Sequence, residues 1–164
     1  MKKAAAHTLF SSATAEWETP QALFDVLNAR FHFDLDVCAT AANAKCSSFF
    51  SRAENGLTQD WGGHRCWMNP PYGREIAAWV RKARQEAERG ALVVGLLPAR
   101  TDTRWWQEHV QGYADVRFVA GRLRFGEAKN SAPFPSALAV WWGWPQWSGT
   151  FESRQYEQGT EYEQ

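Results

Sequence analysis

Residues 65–98 read RCWMNPPYGREIAAWVRKARQEAERGALVVGLLP and contain a complete strand–helix–strand pattern. The apolar segment 65–68 predicts a short buried strand that stops at two consecutive prolines. Apolar residues then recur every three or four positions over 74–89, which predicts a helix, and Gly90 suits its C-terminal end. The uncharged run 91–97 predicts a second strand that is covered on both faces. This order of elements is typical of an α/β fold with a parallel sheet and helices on its faces.

Further elements are predicted on both sides of this unit. Thr19 followed by Pro20 has the form of a helix N-cap and first helical residue, for a helix over 20–29. Apolar and polar residues alternate over 31–37, which predicts a strand. Downstream, the pattern predicts one helix and then two strands, over 102–110, 115–120 and 136–142.

The composition is that of one globular domain. The chain has 164 residues, of which 45% are apolar and 22% charged, so it can bury a sizeable core. Its 18 basic residues balance 18 acidic ones, which excludes a strongly basic polymer-binding protein, although residues 74–129 carry an excess of basic side chains. We expect a flexible lead-in over 1–16, one domain over 17–147 and an acidic, disordered tail over 148–164.

Cysteines, histidines and hydropathy exclude several other classes of protein. The three cysteines form no CxxC pair and the four histidines stand apart, so neither a disulfide framework nor a metal site is predicted. No leader-type segment and no apolar run of membrane length is present, so we expect a cytoplasmic protein with reduced thiols and no membrane partner.

The sequence NPPY at 69–72 follows the first strand of the central unit, where open α/β sheets bind their ligands. Two consecutive prolines fix the backbone and remove two donors, so the segment is a stiff ledge of hydrogen-bond acceptors. The Asn69 amide oxygen and the Pro70 carbonyl can accept both N–H bonds of a planar amine while Tyr72 stacks on its ring. These bonds favour a pyramidal nitrogen and direct its lone pair at an electrophile, so no acidic general base is required.

Asn-Pro-Pro-Tyr at the end of a strand resembles the catalytic motif of S-adenosylmethionine-dependent amino-methyltransferases. That motif is shared by DNA adenine methyltransferases, some RNA adenine methyltransferases and enzymes that methylate glutamine in release factors. Further landmarks resemble the small phage-type DNA adenine methyltransferase (Dam-like) family. They are WETP at 17–20, FDLDVCA at 33–39, NAKC at 43–46, GL at 56–57 with Trp61, LPART at 97–101 and GRLRF at 121–125.

The resemblance implies a Rossmann-like methyltransferase fold: a mostly parallel central sheet, helices on both faces and an antiparallel C-terminal strand pair. It also implies an enzyme that transfers a methyl group from S-adenosylmethionine to the N6 amine of adenine in DNA. The transfer would be a direct displacement on a flipped base. Double-stranded DNA is the expected partner, and the cytoplasm of a bacterial host cell is the expected location.

Site residues follow from the same resemblance. The catalytic residues that would hold the flipped adenine are Asn69, Pro70, Pro71 and Tyr72. The implied cofactor-binding residues are Thr19, Pro20, Asp34, Asp36, Cys38, Ala39 and Asp60. Four arginines near ligand-side loops are candidates for contacts with DNA phosphates: Arg100, Arg104, Arg122 and Arg124. One departure is that segment 36–40 contains no glycine, although many methyltransferases have a glycine-rich turn after the first strand.

Two alternative functions remain open from the sequence. One is a methyltransferase that acts on RNA adenine or on a protein glutamine. The other is a non-catalytic nucleic-acid-binding protein on a methyltransferase-like fold, which the missing glycine turn would favour. Since the predicted core takes up most of the chain, base recognition is expected from short insertions at 100–115 and 121–135, or from a second subunit.

Overall fold

A computed structural model describes residues 17–143 of the chain. The predicted lead-in and tail lie outside the described residues, as do the last residues of the predicted domain. The described part has three α-helices: Gln21–Phe31 (α1), Ile76–Glu88 (α2) and Arg104–His109 (α3). It has five strands: Leu35–Asp36 (β1), Arg65–Met68 (β2), Leu92–Pro98 (β3), Asp115–Phe118 (β4) and Ser136–Trp141 (β5). None of the helices within 17–143 is long and apolar enough to cross a membrane.

The five strands form one sheet in the order β1-β2-β3-β5-β4. β2 pairs in parallel with both β1 and β3, whereas β5 is antiparallel to β3 and to β4. The predicted α/β class, the parallel strand–helix–strand unit and the antiparallel C-terminal pair are therefore confirmed. Because β5 opposes both of its neighbours, β4 runs in the same direction as β1, β2 and β3. The carboxyl ends of these four strands lie at the same edge of the sheet.

The core lies on and around the two central strands. Every residue of β3 and of β5 is buried, as a strand covered on both faces requires. Gly95 in β3 accommodates two large neighbours, because a Cβ there would lie 3.0 Å from the Met68 methyl carbon and 3.1 Å from the Trp141 ring. Trp61, Trp67 and Trp141 are among the largest fully buried side chains in the described part.

The first predicted strand is much shorter than the alternation of residues suggested. α1 continues to Phe31 and ends at His32, which adopts the left-handed conformation with φ 53°. Only the two residues of β1 pair with β2. The Phe33 ring packs at 5.6 Å from the Phe24 ring and 5.5 Å from the Trp67 ring, measured between centroids. The alternation at 31–37 thus reflects a turn that packs the half-buried Phe33 against the core.

The predicted N-cap of α1 is wrong. The helix begins at Gln21, Pro20 occupies the cap position, and no side chain makes a capping hydrogen bond. The Thr19 hydroxyl oxygen instead accepts a hydrogen bond from the Asn69 side-chain nitrogen at 2.9 Å. α2 and α3 also begin two residues later than predicted, and Thr103 caps α3 by accepting the backbone N–H of Trp106.

Candidate active site

A cavity of about 890 Å³ lies at the carboxyl ends of β1 and β2. Its walls come from the segment 17–19, the loop 36–40 that follows β1, the NPPY segment and the start of α2. Ligand sites in open α/β sheets occur at this edge, and the volume falls in the range of small-molecule and cofactor sites. The cavity is therefore the candidate active site.

Asn69 stands in the cavity wall directly after β2. Its side-chain nitrogen donates to the Trp17 carbonyl oxygen and to the Thr19 hydroxyl oxygen. Its side-chain oxygen is buried and has no hydrogen-bond partner among residues 17–143. Since more than nine in ten buried polar groups are hydrogen-bonded, a buried acceptor without a partner, on a residue that lines the cavity, is a place where a ligand could donate.

The two prolines and the tyrosine of NPPY occupy different environments. Pro70 is buried, Pro71 is half-buried, and both line the cavity. The Tyr72 ring does not line the cavity, because it packs edge-on against Phe125 and Phe134 with centroids 6.1 and 5.5 Å away. Its hydroxyl donates to the Leu96 carbonyl oxygen at 2.9 Å, and burial raises the pKa of the hydroxyl well above its ordinary value. In this conformation the Tyr72 ring supports the NPPY segment by packing against Phe125 and Phe134. Stacking on a base would require the ring to leave these two neighbours.

Asp36 organises the loop that follows β1. Its two carboxylate oxygens accept the backbone N–H groups of Cys38 at 3.2 Å and Lys45 at 3.0 Å. The carboxyl is buried, and this burial raises its pKa to about 6 despite the lowering effect of the two hydrogen bonds and the Lys45 charge. Asp36, Cys38 and Ala39 all line the cavity, so these three predicted cofactor residues are brought together with Thr19.

Loop 36–40 contains no glycine, but Gly56 packs closely against the backbone that follows β1. A Cβ at Gly56 would lie 2.1 Å from the Val37 carbonyl oxygen, which is far too close for any other residue type. Gly56 also lines the cavity, at the start of a short 3-10 helix, Gly56–Thr58. Gly56, which comes from a later segment, therefore allows the chain to pack closely against Val37 beside the cavity.

Three predicted cofactor residues do not reach the cavity. Asp34 is exposed at the start of β1, where it accepts the Arg65 backbone N–H at 2.9 Å. Asp60 is exposed as well, and its pKa is lowered by the Gly62 backbone N–H that its carboxylate accepts at 2.8 Å. Pro20 serves the entry of α1. Each of the three therefore has a local structural role: Asp60 in a turn, Asp34 at the entry to β1 and Pro20 at the start of α1.

The four predicted DNA-contacting arginines are exposed, and none of them lines the cavity. Arg104 forms an ion pair with Glu108 at 3.0 Å on α3. The structure places other basic residues in the cavity wall, which sequence reasoning missed: Lys45, Arg52 and Arg74. The sequence did contain a signal for Arg74, since only Gly73 separates it from the NPPY segment. Within 17–143 no group of His, Cys, Asp and Glu side chains is arranged to hold a metal ion.

Trp79 is a further cavity residue, which the sequence analysis did not identify. It lies on α2, lines the cavity and stacks on Trp61 with ring centroids 6.2 Å apart. Its indole N–H is buried and has no acceptor in the described part of the chain. Two residues that line the cavity, Asn69 and Trp79, thus carry an unpartnered acceptor and an unpartnered donor among the described residues. Helical spacing could not reveal this, because it shows which residues face the core but not which of them line a cavity.

Comparison with known proteins assigns this chain to one family of enzymes. The family described as DNA N-6-adenine-methyltransferase (Dam) matches residues 6–148. The chain belongs to this family, whose members are adenine-specific DNA methyltransferases, and the resemblance stated from the sequence is confirmed.

Two relatives of known name carry the same description. The DNA N-6-adenine-methyltransferase of Haemophilus phage HP1 (strain HP1c1) is 34% identical over 132 residues, which cover 76% of each chain. The DNA N-6-adenine-methyltransferase of Escherichia phage T1 is 34% identical over 109 residues, covering 65% of this chain and 45% of the phage T1 protein. The family assignment favours DNA adenine over the RNA and protein substrates that the sequence left open.

Proposed function

We propose that the protein methylates the N6 amine of an adenine that is flipped out of double-stranded DNA, with S-adenosylmethionine as the methyl donor. The observation that carries this proposal is the buried, partnerless side-chain oxygen of Asn69 in the cavity wall. An acceptor beside two prolines, which cannot donate, suits a ligand that brings N–H groups. The N6 amine of adenine is such a group.

The cavity residues fit the proposed donor. A volume of about 890 Å³ is at the upper end of the range for one small ligand and leaves room for a methyl donor beside a base. Asp36 presents a buried carboxylate that would favour a positively charged ligand, and the Trp79 N–H offers a free donor. Cys38 and Ala39, with Gly56 opposite, would hold the donor against the backbone. S-adenosylmethionine, when bound, supplies an electrophilic methyl group on a positively charged sulfur.

The ledge activates the amine. The N6 lone pair is delocalised into the adenine ring, which makes the amine planar and a poor nucleophile. The Asn69 side-chain oxygen and the Pro70 carbonyl accept its two hydrogens, favour a pyramidal nitrogen and direct the lone pair toward the methyl carbon. S-adenosylmethionine held by these residues would supply the methyl carbon, and the electron pair of its broken carbon–sulfur bond would remain on sulfur. One N6 proton is then lost to water at the mouth, where Arg74 and Glu75 are exposed.

The direction of the strands supports a proposed contact of basic side chains with the DNA backbone. Arg74 follows β2, Arg100 follows β3 and Arg122 follows β4. Because these strands run in the same direction, their arginines lie at the edge of the sheet that carries the cavity. Flipping the base out of the stack costs a few kcal/mol. Phosphate contacts from this edge would stabilise the complex while that happens.

The remaining expectations belong to the same proposal. A Rossmann-like arrangement with helices on both faces of the sheet accords with the α/β class and the parallel β1, β2 and β3. Action on the DNA of a bacterial host implies a cytoplasmic location.

The test is the transfer of radiolabelled methyl from S-adenosylmethionine to unmethylated duplex DNA, followed by digestion and identification of the labelled nucleoside. We expect label in N6-methyladenine and a loss of at least about 100-fold in Asn69→Ala, comparable to removing one positioned hydrogen-bonding group from other active sites. Asn28→Ala is the matched control, because the Asn28 side chain accepts the Phe33 backbone N–H at 2.8 Å away from the cavity. No transfer by the folded protein, transfer to RNA alone, or full activity in Asn69→Ala would overturn the proposal.

A further inference from the structure

We propose that Thr19 is a positioning residue that fixes which end of the Asn69 amide faces the target amine. This inference rests on the proposed function and concerns the orientation of its central acceptor. Resemblance implied that Thr19 contacts the cofactor, and the structure assigns its hydroxyl to Asn69 instead.

An asparagine amide has two ends of nearly the same shape and opposite chemistry. A half-turn about its last side-chain bond exchanges a carbonyl acceptor for an NH₂ donor. If the Asn69 nitrogen faced the amine, two donors would meet and the nitrogen lone pair would not be directed. The proposed chemistry therefore works in only one of the two orientations.

Two acceptors in the segment 17–19 select that orientation. The Trp17 carbonyl can only accept, so the Asn69 nitrogen must face it. The Thr19 hydroxyl oxygen takes the second amide proton at 2.9 Å, and the Thr19 side chain is buried. With both protons used, the buried Asn69 oxygen is left as an acceptor without a partner in the described part of the chain, on a residue that lines the cavity. Thr19 makes no capping bond to α1 that would compete for its oxygen.

The segment 17–19 is itself held in place by the loop between β4 and β5. The Trp17 ring packs edge-on against Phe125 at 5.3 Å and Phe134 at 5.2 Å, between centroids. The Gly126 backbone N–H donates to the Glu18 carbonyl oxygen at 2.9 Å. The two residues before Thr19 are thus anchored to this loop, and Thr19 can act as a fixed reference for an amide that lies fifty positions further along the chain.

Thr19→Val and Thr19→Ser test the inference, because valine keeps the shape without the hydroxyl and serine keeps the hydroxyl. In the full chain we expect Thr19→Val to lower kcat roughly tenfold, the effect of about one hydrogen bond on the orientation of the amide. The dissociation constant of S-adenosylmethionine, measured by calorimetry, should stay within about twofold of the original. Thr19→Ser should restore kcat.

An NMR measurement tests the hydrogen bond between Asn69 and Thr19 without relying on catalysis. The side-chain amide protons of Asn69 are assigned by their loss in Asn69→Ala. In Thr19→Val one of the two should shift upfield as its acceptor disappears, and in Thr19→Ser both should keep their positions. If the original protein transfers no methyl to DNA, the proposed function fails, while these spectra still decide whether Thr19 holds the amide.

Three outcomes would overturn the inference. Weaker cofactor binding by Thr19→Val with an unchanged kcat would return Thr19 to the role of a cofactor contact. Equal losses of kcat in the valine and serine variants would show that the hydroxyl is not the cause. Unchanged amide resonances in Thr19→Val would show that the hydrogen bond to Asn69 does not hold in solution.

Discussion

Asn69 and Glu86 both place polar side-chain atoms inside the fold, and they differ in how those atoms are satisfied. Glu86 is 1% exposed and accepts the Trp61 backbone N–H at 3.0 Å, Lys82 at 2.7 Å and Arg89 at 3.1 Å. Asn69 uses its nitrogen fully and leaves its buried oxygen without a partner among the described residues. A satisfied buried network stabilises the fold, whereas an unsatisfied one is a place where a ligand can complete it.

The largest expected effects fall on different properties at the two positions. Glu86→Gln leaves Lys82 without its buried partner, so the free energy of unfolding should fall by about 3 kcal/mol, with kcat of the folded protein within about twofold. Asn69→Ala should lose at least about 100-fold in methyl transfer and only about 1 kcal/mol of stability. Urea unfolding and the transfer assay measure both properties. Equal stability losses, or an equal loss of kcat in Glu86→Gln, would contradict the contrast.

A second contrast separates the two aspartates near β1. Burial raises the pKa of Asp36 to about 6, and its ionised form is the one that would favour a positively charged donor. Affinity for S-adenosylmethionine should therefore rise with pH through about 6 and fall up to about tenfold per pH unit below it. Calorimetry at several pH values measures this. Asp34→Asn is the control and should keep the profile, because Asp34 does not line the cavity; a flat profile in the original protein would remove Asp36 from donor binding.

The same pKa has a consequence for stability with the opposite sign. The folded value of about 6 lies above the ordinary value of 3.8, so protonated Asp36 favours the folded state. Its contribution to stability is fully present below pH 3.8 and is lost as the pH rises through about 6. Ionised Asp36 at neutral pH would thus favour binding of S-adenosylmethionine while lowering the stability of the folded protein.

The stacked Trp61 and Trp79 provide a smaller contrast between a satisfied and an unsatisfied buried polar group. Trp61 donates its indole N–H to the Gly56 carbonyl at 2.9 Å, whereas the Trp79 indole N–H is buried without a partner in the described part. Trp79→Phe should weaken S-adenosylmethionine binding about fivefold and leave stability nearly unchanged, since it removes a donor that only a ligand satisfies. Trp61→Phe should lower stability by about 1 kcal/mol. Unchanged affinity in Trp79→Phe would show that its N–H does not reach the donor.

The smallest effects are expected on the exposed arginines. Arg100 follows β3 at the edge of the sheet that carries the cavity, whereas Arg104 begins α3 and is paired with Glu108. Arg100→Ala should weaken binding to duplex DNA about threefold and reduce the slope of log affinity against log salt by about 1. Arg104→Ala should change neither, because its charge is already paired. Fluorescence anisotropy over a salt series measures both variants, and an equal response would mean that the ion pair with Glu108 does not keep Arg104 from DNA.

The sequence predicted the central unit well because its signals are local. Prolines ended β2, and three- to four-residue spacing marked α2 to within two residues. The alternation over 31–37 failed because the same spacing arises when a turn packs the half-buried Phe33 between α1 and β2. At the site, Asp36, Cys38, Ala39 and the NPPY prolines do line the cavity, whereas Asp34 and Asp60, which rested on weaker signals, lie outside it.

By itself the sequence determined the α/β class, the parallel unit, the place of the ligand edge and, through its motifs, the family. The fold class, the parallel unit and the ligand edge follow from periodicity and from the conformational limits of proline, which act over a few neighbouring residues. The family follows from the resemblance of the motifs and from the family match. Only the tertiary structure decided which end of the Asn69 amide is free, how closely Gly56 packs against Val37 and why the Tyr72 ring does not line the cavity. Each of these depends on partners that lie far away in the chain, and packing alone brings those partners together.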